Sequence, residues 1–85
     1  MSYTLVIPPK ILKKLKKLDP VTKERITEKI EEILTDPTKF KLLRYELKGL
    51  RSARVGKWRI IYEIDNDKIV ILSVSLRKKA YDRGI

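Results

Sequence analysis

The spacing of apolar residues changes near the middle of the chain, and that change decides the fold class. Between residues 10 and 35 apolar side chains recur at helical spacing. Ile11, Leu12, Leu15 and Leu18 fall on one face, and Ile26, Ile30, Ile33 and Leu34 on the face of a second helix. Beyond residue 41 the period becomes two, the signature of strands. Punctuation agrees. Pro8 and Pro9 end a short β-branched run over residues 3–7, and proline is tolerated in a first helical turn, whose N–H groups lack intrahelical partners. Asp19-Pro20 reads as an N-cap and first-turn proline, and Asp36-Pro37 as a stop. On the second helix Glu24 and Glu28, Glu28 and Glu32, and Arg25 and Lys29 repel at four-residue spacing, so that helix relies on packing. After a loop at 38–41, strands are expected at 43–48, 51–55, 58–64 and 68–76, separated by Gly49, Gly56 and Asp65-Asn66-Asp67. The prediction is an α+β fold of order β-α-α-β-β-β, the first of the four later runs being an extension. A helical hairpin packs on one face of a small antiparallel sheet, in a single domain over residues 1–85.

Charge narrows the function. The chain carries 21 Lys plus Arg against 11 Asp plus Glu, a net +10. Residues 41–85 hold +7 of it, so the sheet half carries most of the excess. Such a surplus on 85 residues calls for an anionic partner. Cys and His are absent, which excludes a disulfide scaffold, thiol catalysis and a Cys/His zinc site. No metal or other cofactor is expected. No apolar run approaches the roughly 18–20 residues of a membrane span, and the first residues lack the charged n-region of a signal peptide. The expected compartment is the cytosol, with no membrane partner.

Strand parity gives the sharpest expectation. Ala53 and Val55 share one face, as do Trp58, Ile60, Tyr62 and Ile64; Val70, Leu72, Val74 and Leu76 complete an apolar surface for the helices. The opposite face then carries Arg54, Arg59 and Arg77 with Ser52, Ser73 and Ser75, Glu63, and the apolar Ile61, Ile69 and Ile71. Three arginines from three strands thus converge on the uncovered face, in a chain where Lys outnumbers Arg fourteen to seven. Clustering like charges costs about 1 kcal/mol per pair at ~8 Å and an effective dielectric of ~40. A planar fork that grips phosphate oxygens in pairs is a reason to accept that cost. The helical lysines Lys10, Lys13, Lys14, Lys16 and Lys17 read as a solvated face or a diffuse phosphate footprint. Trp58, Tyr62 and Tyr3 alternate with core residues. Tyr81, in the polar tail RKKAYDRGI, has no apolar periodicity to explain it.

The order strand, helical hairpin, antiparallel sheet and basic tail resembles the RelE/ParE toxin superfamily, its RelE branch most closely. The segments that carry the resemblance are LKGL at 47–50, ARVGKWRIIYEI at 53–64 and SVSLRKKAY at 73–81. RelE-type toxins cut messenger RNA in the ribosomal A site and are neutralised by a cognate antitoxin, whereas ParE-type relatives inhibit DNA gyrase. By this resemblance Arg54, Arg59 and Arg77 match basic positions on the sheet, and Tyr81, in Arg-x-x-x-Tyr spacing, matches a C-terminal tyrosine. One departure stands out: a second basic residue often found two positions before Arg54 is Ser52 here. That leaves Arg51 or Lys57 to supply the missing charge, with Lys78 and Lys79 as further substrate contacts. The implied partners are an acidic or amphipathic antitoxin and messenger RNA in the ribosomal A site.

RNA supplies its own nucleophile: a 2′-OH attacks the adjacent phosphate, so neither metal nor protein nucleophile is required. Without His, the chemistry should rest on charge stabilisation by fixed guanidinium groups. Arg59 and Arg77 are expected at the phosphate and Arg54 in positioning. Tyr81 serves as general base or stacks on a base, with Glu63 a rival base. A toxin acting on gyrase without catalysis, a plain RNA-binding module and an inert family member are the competing expectations.

Overall fold

The computed structural model describes residues 3–43 and 49–76. Strand β1 (Thr4–Val6) leads into helix α1 (Pro9–Lys16), helix α2 (Pro20–Thr35) and a 3₁₀ turn (Pro37–Lys39). Strands β2 (Lys41–Leu42), β3 (Leu50–Val55), β4 (Trp58–Asp65) and β5 (Lys68–Leu76) follow. They form one sheet of order β1-β5-β4-β3-β2. β1 runs parallel to β5 and every other pairing is antiparallel. The fold is α+β, as expected. The strand expected at 43–48 falls, but for Leu43, outside the described residues; ahead of it β2, in the expected loop, is a two-residue pairing with Arg51 and Ser52.

Each helix begins where its residues demand. Pro9 occupies the first turn of α1. The Asp19 carboxylate accepts from Thr22 N–H at 3.0 Å, capping α2 ahead of Pro20. Hydrogen bonding from the Thr22 side chain, and then from its backbone N–H, holds the Asp19 carboxyl below its ordinary range. Ile26, Ile30 and Ile33 of α2 are buried against Ala53, Val55, Ile60, Tyr62, Ile69, Ile71 and Val74. α1 contributes the half-buried Ile11 and Leu15, while Leu12, placed on the same face by the sequence, is exposed. Below the helices the Tyr62 hydroxyl donates to the carbonyl of Pro37, and burial pushes its pKa up to about 12. Two-residue turns join β3 to β4 at Gly56-Lys57 and β4 to β5 at Asn66-Asp67. Gly56 and Asn66 sit at positive φ, 57° and 58°, the left-handed conformation such hairpin turns require of their first central residue.

A bulge in β5 overturns one part of the parity expectation. Ile61 pairs with Ser73 and Tyr62 with Ile71, so Leu72 has no counterpart on β4. The extra residue reverses which side chains of β5 face the helices. Ile69 and Ile71, expected on the open face, are fully buried in the core, and Leu72, expected inside, is 40% exposed. Beyond the bulge the expected parity returns, with Val74 in the core.

Candidate functional site

The face of the sheet turned away from the helices is built from alternate positions of β3, β4 and β5. Arg54 of β3 stands directly opposite Arg59 of β4, and Ser75 of β5 stands opposite Arg59 on its other side. Directly opposed side chains have Cβ atoms about 5 Å apart, and like charges there repel. The pairing is retained with the two cations in different environments. Arg54 is exposed, whereas Arg59 is only 5% exposed. Arg59 Nη1 donates to Ser52 Oγ at 2.9 Å, and Ser52 is itself buried. Ser73 and Ser75, whose hydroxyls lie 3.4 Å apart, continue the polar strip on β5. Arg59 is thus a guanidinium fixed in the middle strand, flanked by a hydroxyl on one neighbour and an exposed cation facing it. Ser52, the departure from the family pattern, has a place here as an acceptor for Arg59.

The other expected site residues fall differently. Arg51 pairs with Tyr62 and therefore stands on the helix side of β3. Its Nη1 donates to the carbonyls of Thr38 and Phe40 at 3.2 and 3.0 Å, tying β3 to the 3₁₀ turn rather than adding charge beside Arg54. Lys57 is exposed at the hairpin tip. Glu63 shares the arginine face but lies four residues along β4 from Arg59, about 13 Å away at ~3.3 Å per residue. That separation weakens it as a base for a phosphate held by Arg59. Arg77, Lys78, Lys79 and Tyr81 lie outside the described residues. Among the described residues, no group of three or more acidic side chains is placed to hold a metal ion, and no helix is long and apolar enough to cross a membrane.

The arrangement sets one exposed guanidinium beside one buried and hydrogen-bonded guanidinium, a combination suited to an anion. A phosphate arriving at this face would reach the exposed Arg54 before the buried Arg59.

Comparison with known proteins agrees with this reading of the fold. A family model described as the ParE toxin of the type II toxin–antitoxin system parDE matches residues 5–81. The RelE1 protein of Methanocaldococcus jannaschii is 35% identical over 89 residues, covering 95% of this chain and 97% of that protein. A chain of the toxin–antitoxin complex RelBE2 from Mycobacterium tuberculosis superposes with a TM-score of 0.79 at 33% identity, covering 91% of this chain and 100% of the other. A free-state variant of the E. coli toxin RelE shares the fold, with a TM-score of 0.81 at 20% identity over 99% of this chain and 93% of its own. The chain therefore belongs to the RelE/ParE superfamily of type II toxin–antitoxin toxins.

Proposed function

We propose that this toxin is a metal-independent endoribonuclease that cuts messenger RNA in the ribosomal A site, in the cytosol, and is silenced by a cognate antitoxin. The observation that carries the reading is the facing pair Arg54 and Arg59, with Arg59 anchored on Ser52. In the reaction the 2′-OH loses its proton, its oxygen bonds to the adjacent phosphorus, and the bond from phosphorus to the 5′ oxygen breaks. That oxygen takes up a proton. The products are a 2′,3′-cyclic phosphate and a free 5′-OH. Arg59, with Arg77, neutralises the charge that builds on the phosphoryl oxygens. Arg54 positions the strand, and Tyr81 either accepts the 2′ proton or stacks on a base.

The limited exposure of Arg59 supports a dependence on the ribosome. A loosely held strand meets Arg54 but seldom seats a phosphate deep enough to reach Arg59. A message already held in reactive geometry removes that entropic cost, which can reach several kcal/mol. The +10 charge also favours recruitment to a particle rich in phosphate. An antitoxin partner is supported by the likeness to a chain of the RelBE2 complex. It would be acidic or amphipathic and cover the basic surface.

The test compares cleavage of one message free in solution and on programmed ribosomes. Fast cleavage only on the ribosome is expected, and equal rates contradict the proposal. The ParE description of the matching family model favours a second reading, inhibition of DNA gyrase. Loss of gyrase supercoiling with the message left intact would establish it in place of the first.

A further inference from the structure

On the helix side of the β3–β4 hairpin two open clefts adjoin. The larger, about 370 Å³, is lined by Thr22 and Arg25 of α2 and by Val55, Gly56, Lys57 and Trp58 of the hairpin. The smaller, about 250 Å³, shares Arg25, Val55 and Gly56 and is lined as well by Arg54, Glu28, Lys29 and Glu32. Arg25 is exposed, and its guanidinium lies against the turn: a Cβ at Gly56 would sit 3.7–3.9 Å from it. Among the described residues neither Arg25 nor Lys57 makes an ion pair. Lys14 of α1 adds a third cation, its Nζ 6.0 Å from the centre of the Trp58 ring.

The geometry points to a second RNA subsite in the larger cleft: a nucleotide flanking the scissile one, its phosphate on Arg25 and Lys57 and its base against Trp58. Three features favour this occupant. Among the described residues no carboxylate lines the larger cleft, whereas Glu28 and Glu32 line the smaller one, Glu32 already engaged by Lys29 and Lys39. Cations beside an aromatic ring are the combination that holds single-stranded nucleic acid without reading its sequence. The larger cleft also adjoins the smaller one, which Arg25 and Arg54 both border at the hairpin end of the arginine face. A strand seated on Arg54 can pass the hairpin tip and place its next nucleotide beside Trp58. The subsite rests on the nuclease reading for its substrate but not for its detection.

Trp58 is the single tryptophan of the chain and reports on its own cleft. The probe is a 2′-O-methyl hexaribonucleotide, which cannot be cut because its 2′ oxygens are blocked. Titration of the full chain with it should quench Trp58 fluorescence saturably. Arg25→Ala should weaken the binding about five- to tenfold and lower the slope of affinity against salt by about one, the loss of a single phosphate contact. Arg25 is exposed, so the variant keeps its fold, which circular dichroism checks. An oligonucleotide that binds by anisotropy without quenching Trp58, or that binds Arg25→Ala as tightly as wild type, overturns the subsite and leaves the nuclease reading standing. Quenching as described, with no cleavage of any message, keeps the subsite and defeats the nuclease reading. Quenching by a hexaglutamate peptide and not by the RNA would assign the cleft to a protein partner and overturn the inference.

Discussion

Replacing Ser52 with Ala removes the hydroxyl to which Arg59 Nη1 donates at 2.9 Å, between two residues that are 6% and 5% exposed. The side chain loses only one oxygen, so the packing change is small and the hydrogen bond dominates. A bond to a charged group contributes about 1.5–3 kcal/mol, and a buried guanidinium deprived of an acceptor keeps its desolvation cost. In a domain of 85 residues, ~2 kcal/mol lowers Tm by about 8–16 °C. Thermal unfolding by circular dichroism measures it, with Ser52→Thr as the variant that retains a hydroxyl and recovers most of the loss. A double-mutant cycle isolates the pair: in an Arg59→Met background, Ser52→Ala should cost almost nothing. Cleavage on programmed ribosomes should fall with Ser52→Ala and return with Ser52→Thr, because the oxygen orients the donor that meets the phosphate. A Tm within about 2 °C of wild type, or additive effects in the cycle, would refute the anchoring of Arg59 by Ser52.

Other expectations follow from single contacts. Tyr62→Phe removes the bond to the Pro37 carbonyl and should cost about 1 kcal/mol. Because burial pushes the Tyr62 hydroxyl up to about 12, the unfolded chain loses that proton first as pH rises. Tyr62's contribution to stability is therefore full below about pH 10 and lost as pH climbs towards 12, so the alkaline fall in Tm should be shallower in Tyr62→Phe. Asp19→Ala uncaps α2 and should destabilise by about 1 kcal/mol in urea titrations. Arg77→Ala should reduce cleavage on programmed ribosomes by ~10²–10³ while the thermal transition is retained; unaltered cleavage would remove Arg77 from the mechanism.

Much of this architecture was legible because local signals and tertiary demands coincide. Asp19-Pro20 is both a cap sequence and the observed cap, and Ile26, Ile30 and Ile33 are spaced for one helix face and buried on it. Gly56 and Asp65-Asn66-Asp67 mark the hairpins because the turns need the left-handed conformation that Gly and Asn tolerate. That Arg54 and Arg59 share a face followed from alternation through a short turn, and the register sets them directly opposite. Alternation failed in β5 for a definite reason. Ile69, Val70, Ile71 and Leu72 are all apolar, so either parity gives an acceptable inner face, and only the cross-strand register with Tyr62 decides. The bulge at Leu72 is that decision. Nor did any local feature mark Arg59 for burial, since an arginine at an outward position reads as solvated. Its partner Ser52 reads in the sequence as a small outward residue and a missing cation, not as an acceptor. The Arg25 and Trp58 cleft was equally hidden, because it joins residues from α2 and the hairpin that only the packing brings together.

The central claim is that the fixed fork of Arg59 stabilises the phosphate as the message is cut. Single-turnover cleavage of a message on programmed ribosomes by wild type and by Arg59→Lys tests it most directly, since lysine keeps the charge but lacks the planar pair of donors. Wild type should leave a 2′,3′-cyclic phosphate end, and folded Arg59→Lys should cut about a hundredfold more slowly. Cutting at the wild-type rate by the folded variant, or a message left whole by wild type, would contradict the account.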